Sequence, residues 1–146
     1  MPKESSDPVL IGVELLARRG GSILLGLRRN CSGAGTWALP GGHLEHGEGL
    51  AAALCREAEE ELGADVDPGD LRLASMTDDV QPEAGVHYVH VSFELADPPW
   101  EPQIMEPDRC GEWRWFPLGG LPEPENLFPP HEPIIAGYRQ GRLYQP

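Results

Sequence analysis

Between Gly42 and Ala64 the sequence sets glycines and charged residues at fixed intervals. Gly42 is followed by a gap of five, then Glu48, a gap of seven, and the run Arg56-Glu57-Ala58-Glu59-Glu60-Glu61-Leu62-Gly63-Ala64. The segment from Glu48 to Leu62 predicts a helix. It has no proline and no glycine after Gly49, and it is rich in Ala, Leu and Glu, all strong helix formers. At about 100° per residue, Glu57, Glu60 and Glu61 share one face, because they stand at i, i+3 and i+4. Ala51, Leu54, Cys55, Ala58 and Leu62 gather on an adjoining stripe. One side of the helix should therefore pack on a core while carboxylates line its edge. Gly63 is expected to end the helix as a left-handed cap.

Most glutamate runs are solvated acidic faces, and these three alone would be read that way. The residues just upstream change the reading. Leu39-Pro40-Gly41-Gly42-His43-Leu44-Glu45 forms a Pro-Gly-Gly turn, which lets backbone approach a ligand closely and can offer a carbonyl to a metal. Three carboxylates that close repel one another, and a divalent cation removes the conflict. Magnesium takes oxygen ligands, keeps several waters and is commonly shared between carboxylates and substrate phosphates. The helix thus reads as half of a metal site. Arg56 can reach back to Glu48 or across to Glu60. An ordinary helical ion pair of this kind is worth roughly 0.3–0.5 kcal/mol, whereas a bidentate one also orients its carboxylate.

The chain has 146 residues, 40% of them hydrophobic, which predicts one domain with a single core. No run of 18 apolar residues predicts a membrane span. Met1 to Pro8 lacks the apolar stretch of a signal peptide, so residues 1–8 are expected to be a disordered tail and 9–146 the domain. Cys31, Cys55 and Cys110 are unpatterned and fit reduced thiols in a cytoplasm. A net charge of −13 argues against nucleic acid polymers as partners, but not against nucleotides, since a bound metal reverses the local field.

Along the chain, Val9–Ala17 reads as a buried strand and Arg18 to Gly21 as a turn. Ser22–Arg28 is a second strand, Asn30 to Gly35 a Gly-rich loop, and Thr36–Leu39 a short strand. After the helix, Leu71–Thr77 reads as a strand, Asp78 to Gly85 as a polar turn and Val86–Leu95 as the longest β-rich run. Asp97 to Asp108 holds four prolines and should be an exposed loop. Glu112–Phe116 is a strand with Trp113 and Trp115 on one face and Arg114 on the other. Leu118 to Pro130 is irregular, and His131–Gln140 is a final helix with Pro133 in its first turn. The order predicts an α/β domain with a mixed sheet between helices.

The spacing from Gly42 to Ala64 resembles the Nudix box, with Ala58 and Ala64 in two slots usually filled by Ile, Leu or Val. The likeness extends to Leu25-Gly26-Leu27-Arg28-Arg29, to Gly33 through Glu45, to His87-Tyr88-Val89 and to Glu106 through Trp115. Together these resemble the MutT-like nucleotide triphosphate diphosphatase branch of the Nudix hydrolases. The resemblance implies an α/β/α sandwich and hydrolysis of a nucleoside diphosphate linked to some moiety. In this branch that means triphosphate to monophosphate plus pyrophosphate.

It also implies roles. Gly42 through its carbonyl, Glu57 and Glu61 would hold magnesium, with manganese as an alternative. Glu60 would hold a second ion or a bridging water. Glu57 is the first choice as general base, Arg56 orients the carboxylates, and Glu48 stands behind them or at an auxiliary metal. Arg28, Gly41, His43 and Phe128 would contact substrate. Pro129-Pro130-His131 departs from the branch, which carries another aromatic and a base-contacting backbone there, and His90 stands where a small hydroxyl residue is expected. Cleavage of ADP-ribose or a nucleotide sugar is a second reading, and an inactive nucleotide-binding regulatory domain a third. Homodimers are common in the branch, and no membrane partner is expected.

Overall fold

Strand β1 (Leu10–Arg19) runs through the middle of the molecule. Apart from Glu14 it is apolar on both faces from Gly12 to Ala17, so both must be covered, and Gly12 through Ala17 are all buried. The computed structural model describes residues 7–146; most of the expected tail, residues 1–6, lies outside the described residues.

Around β1 the remaining strands are β2 (Ser22–Arg28), β3 (Trp37–Ala38), β4 (Gly41–His43), β5 (Arg72–Gln81), β6 (Val86–Ala96), β7 (Cys110–Pro117) and β8 (Tyr144–Gln145). They form one mixed sheet in the order β3-β2-β1-β6-β5-β8, with β4 also paired to β1 and β7 to β2. The β1–β6 and β5–β8 pairs are parallel and the rest antiparallel. Helix α1 (Leu50–Leu62) covers one face, against Val13, Leu15, Ala17 and Leu24. Helix α2 (Glu132–Gln140) covers the other, against Leu16, Ile23, Leu25 and Leu39. This is the expected sandwich. Fully burying one such leucine contributes roughly 1.5–3 kcal/mol.

Several boundaries move. Helix α1 starts at Leu50 on an N-cap at Gly49, so Glu48 lies outside it; it ends where Gly63 adopts φ 64°. Its buried side is Ala53, Leu54, Ala58 and Leu62, with Cys55 packed at the margin. Asp78 to Gln81, expected as a turn, continues β5, because each residue has a backbone partner on β6 down to Gln81 opposite Val86. Gly41 to His43, expected as a turn, pairs with Gly12 to Glu14 of β1. The segment after β6 is not wholly exposed: Pro98 is buried, Trp100 packs on the α1-side core, and Arg19 donates to the carbonyls of Pro98 and Trp100. Trp113 and Trp115 pack on the same core and Trp37 on the α2 side.

One topological feature creates the site. β1 pairs with β2 only at Arg18 and Arg19, while its other half pairs with β4. β2 leaves β1 to pair with β3 and β7. The two strands part, and a cleft of about 770 Å³ opens between them, lined from β1, β2, β4, β5, β6 and α1.

Candidate active site

Helix α1 presents Glu57, Glu60 and Glu61 to this cleft. Arg56 gathers the neighbouring acids. Its Nε donates to Glu48 Oε2 at 3.1 Å and its Nη2 to Glu48 Oε1 at 2.8 Å. Nη1 donates to Glu57 Oε1 at 3.0 Å and Glu60 Oε2 at 3.3 Å. Nη2 also reaches the His43 carbonyl at 3.0 Å, tying the helix to β4. Glu48 in turn accepts from the Glu45 backbone N–H at 2.8 Å. Both paths open to Arg56 in the sequence are therefore used at once. Glu48 does not line the cleft; it holds the guanidinium from behind.

The approach of β4 to α1 explains the two glycines. A Cβ on Gly41 would lie 2.1 Å from the Val13 carbonyl oxygen, and one on Gly42 would lie 2.3 Å from Glu57 Cδ. No side chain fits either position. The Gly41 N–H donates to Glu61 Oε2 at 3.3 Å, and the Glu57 and Glu61 carboxyls hydrogen-bond one another. Burial pushes the Glu61 carboxyl well above the usual carboxylate range, and the Glu57 charge pushes it further. Glu57 is also raised by burial, against the pull of Arg56. Two carboxyls crowded together beside backbone that admits no Cβ offer a set of oxygen ligands. That donor set fits a hard divalent cation such as magnesium.

Away from the helix, Arg28 and Phe128 come together at the cleft wall. The Arg28 guanidinium lies 3.9 Å from the Phe128 ring centroid, and its Nε donates to the Ser32 carbonyl at 2.8 Å. His43 stands opposite Tyr88, with Nε2 and the phenol oxygen 3.1 Å apart. Of the residues expected to act, Gly41, Gly42, His43, Arg28, Arg56, Glu57, Glu60, Glu61 and Phe128 all border this one cleft, and only Glu48 stands behind it.

The sequence reading missed a second polar group on the α2 side of the sheet. Glu14, buried on β1, faces His90 of β6, with His90 Nδ1 and Glu14 Oε1 2.5 Å apart. His90 Nε2 meets Asp79 Oδ2 at 3.2 Å. His131 Nδ1 accepts from the Leu39 N–H at 3.0 Å, and its Nε2 lies 3.8 Å from Glu14 Oε1. Glu14, His90 and His131 each offer one donor atom within 4.8 Å of the others. Burial pushes the His131 imidazole down to about 3 and keeps it neutral. Burial also raises Glu14. His90 is raised: burial alone would lower it, but its two carboxylate partners together outweigh that. The only advance signal was His90 itself, in place of the expected small hydroxyl residue.

The NUDIX domain family model matches residues 8–138. The chain is 40% identical over 91 residues to the low-salt glycan biosynthesis protein Agl8 of Haloferax volcanii, covering 59% of this chain and 58% of that protein. The chain thus spans less than two thirds of that relative's length. It is 31% identical over 132 residues to the ADP-ribose pyrophosphatase of Methanocaldococcus jannaschii, covering 90% of this chain and 74% of that protein. Among solved structures, the MutT NUDIX hydrolase from Burkholderia pseudomallei matches with a TM-score of 0.80 at 32% identity. That match covers 88% of this chain and 97% of the other.

Proposed function

This chain belongs to the NUDIX domain family and is a Nudix hydrolase, and from that premise we propose that it cleaves (deoxy)nucleoside triphosphates to monophosphate and pyrophosphate. The observation that carries this reading is the pairing of Glu57 and Glu61 against Gly41 and Gly42, at one end of a cleft whose other wall offers Arg28 and Phe128. Phosphates and base would thus be met by different chemistry in a single groove.

In this proposal the Gly42 carbonyl, Glu57 and Glu61 hold magnesium, or manganese in its place, and Glu60 stands ready for a second ion or a bridging water. The bound ion would neutralise phosphate charge and make coordinated water more acidic. Arg56, anchored by Glu48, fixes one oxygen of Glu57. Glu57 can then accept the proton of the attacking water as its oxygen adds to one phosphorus of the pyrophosphate link and the bond from that phosphorus to the bridging oxygen breaks. Arg28 contacts the phosphate chain, Phe128 packs on the base, and Gly41 and His43 border the phosphates. Residues 9–146 act as a single domain, and the three free cysteines fit a reducing cytoplasm. Pairing of two copies is compatible with this reading.

Cleavage of ADP-ribose is the second reading, favoured by the Methanocaldococcus jannaschii relative, which carries that activity in its name. The deciding experiment incubates the protein and magnesium with dNTPs, NTPs, ADP-ribose and nucleotide sugars, and quantifies products. Pyrophosphate released from triphosphates is the expected result. AMP and ribose phosphate from ADP-ribose, with triphosphates untouched, would replace the proposal by the second reading. Nucleotide binding without any turnover would reduce the domain to a regulatory one.

A further inference from the structure

We propose that Arg109 is a clamp on the rim of the cleft that closes on the polyphosphate chain and favours triphosphates over a diphosphate bridge. This rests on the nucleotide-hydrolase reading and adds a specificity-determining residue to it.

The rim segment that carries Arg109 is fastened at both ends. The Gln103 N–H donates to the Leu62 carbonyl at 2.9 Å, beside the last turn of α1, which carries Glu61. Further on, the Arg29 N–H donates to the Arg109 carbonyl at 2.8 Å. Asn30, in the left-handed region with φ 52°, donates from Nδ2 to the Asp108 carbonyl at 2.9 Å. Between these points the Glu106 carbonyl accepts from the N–H groups of Arg109 and Cys110, each at 2.9 Å. The segment thus bridges the acidic end of α1 and the end of β2, and both Glu106 and Arg109 border the cleft. With the Arg109 backbone held on both sides, a ligand has only the side chain left to order, which lowers the cost of binding.

The guanidinium itself is uncommitted. Glu106 and Asp108 lie in the same turn, yet Arg109 forms no ion pair with either, and its side chain has no hydrogen-bond partner among the described residues. Three arginines border the cleft: Arg28, Arg56 and Arg109. Arg56 is matched by Glu48, Glu57 and Glu60. Arg28 and Arg109 have no carboxylate partner among the described residues, and Arg28 stands opposite Cys110, next in the chain to Arg109. In a chain with a net charge of −13, two unmatched cations at neighbouring points of one cleft form a local field that attracts an anion.

Charge balance separates the substrates. Glu57 and Glu61 cancel the charge of one magnesium ion, so the phosphate chain needs cations from elsewhere. A nucleoside triphosphate carries about four negative charges, because its terminal phosphate brings close to two, whereas the diphosphate bridge of ADP-ribose carries about two. The metal cradle meets the diphosphate link that both compounds share and so does not tell them apart. Arg28 answers one charge of either chain. A second arginine on the rim gains most where the chain is longer.

The test compares wild type, Arg109→Ala and Arg109→Lys for magnesium-dependent kcat/KM on ATP, GTP and ADP-ribose, and for calorimetric binding of inorganic tripolyphosphate with magnesium. If ADP-ribose is not turned over, its inhibition constant serves in place of kcat/KM. Arg109→Ala is expected to lower kcat/KM for the triphosphates by about tenfold or more, mainly through KM, and to change ADP-ribose by less than about threefold. The side chain is exposed, so the melting temperature should not move. Arg109→Lys should recover part of the loss, as a point charge without the planar fork. Raised salt should shrink the wild-type preference and leave that of Arg109→Ala in place. Equal losses on triphosphates and ADP-ribose, or triphosphate hydrolysis untouched by Arg109→Ala, overturn the clamp and leave the triphosphate reading standing. Tripolyphosphate bound about tenfold more weakly by Arg109→Ala, with no triphosphate hydrolysed by any of the three proteins, upholds the clamp and removes the triphosphate reading instead.

Discussion

Arg56 and Glu48 are joined by two hydrogen bonds, at 3.1 Å and 2.8 Å, while the same guanidinium reaches Glu57 at 3.0 Å and the His43 carbonyl at 3.0 Å. One planar group therefore sets the distance between the loop before α1, strand β4 and the carboxylate that faces the cleft. Lysine has one ammonium and cannot serve these directions together. Arg56→Lys should lower kcat/KM by about 10–100-fold and weaken activation by magnesium, as loss of partners behind metal ligands commonly does. Glu48→Ala should act in the same direction. A magnesium titration of activity, with melting curves to show folding, checks both. A variant with unchanged magnesium dependence would show that Arg56 is only a surface pair.

Glu61→Gln separates metal binding from folding. Glu61 is largely buried beside Glu57, and its carboxyl is raised well above the ordinary value of 4.5, first by burial and then by the Glu57 charge. An acid whose folded-state value is raised keeps its proton longer in the native state. Stability from this group is complete below about 4.5 and is lost as pH climbs through the raised folded value. Measured against Glu61→Gln, the metal-free wild type should therefore lose melting temperature as pH rises above about 4.5, and magnesium should reverse the loss. Glu61→Gln should flatten the profile, melt no lower than wild type without metal near neutral pH, and lose turnover by on the order of 10³-fold. Parallel melting profiles for the two proteins would contradict this account of Glu61.

How much of this was written in the sequence depends on how far apart the residues stand. Arg56, Glu57 and Glu61 lie within two turns of one helix, so their spacing alone places them together, and the preceding Gly41-Gly42 carries its meaning locally. Glu14, His90 and His131 are single polar residues in three separate segments. Only the parallel register that sets Gly12 opposite His90, and the turn that ends in His131, bring them within reach. Strands β4 and β8 were also hidden, because two or three residues carry no periodicity and glycine has low β propensity. The acidic end of β5 read as a turn because its pairing with β6 is a backbone property that Asp78 and Asp79 do not advertise.

His131 gives the protein an acid limit of its own. Burial holds its imidazole at about 3, far below the ordinary 6.5, so the unfolded chain takes up a proton that the native state refuses. A base with a depressed folded value contributes stability that is complete above about 6.5 and is lost as pH falls from there toward 3. The slope approaches about 1.4 kcal/mol per pH unit. His131→Asn can still accept from the Leu39 N–H but does not titrate. It should be less stable than wild type at pH 7, and the gap should close as pH falls. Chemical denaturation at several pH values measures this. A gap that stays constant down to pH 4 would mean that His131 does not control acid stability.

Arg28 should govern binding rather than turnover. Its guanidinium is held over Phe128 at 3.9 Å and by the Ser32 carbonyl, and no carboxylate pairs with it among the described residues. A cation kept at a cleft wall without a counter-ion is free to meet a phosphate, and a charge-assisted hydrogen bond of that kind is worth about 1.5–3 kcal/mol. Arg28→Ala should raise KM for a triphosphate by about 10–100-fold while kcat changes little, since the carboxylates on α1 are untouched. Phe128→Ala removes the surface on which the guanidinium rests and should raise KM as well. The double variant should be worse than either single variant, since Phe128 also packs on the base, yet fall short of the summed losses, because the two residues share one contact. A double variant no worse than Arg28→Ala would remove the base contact from Phe128, and a drop in kcat for Arg28→Ala would move Arg28 from binding to the chemical step.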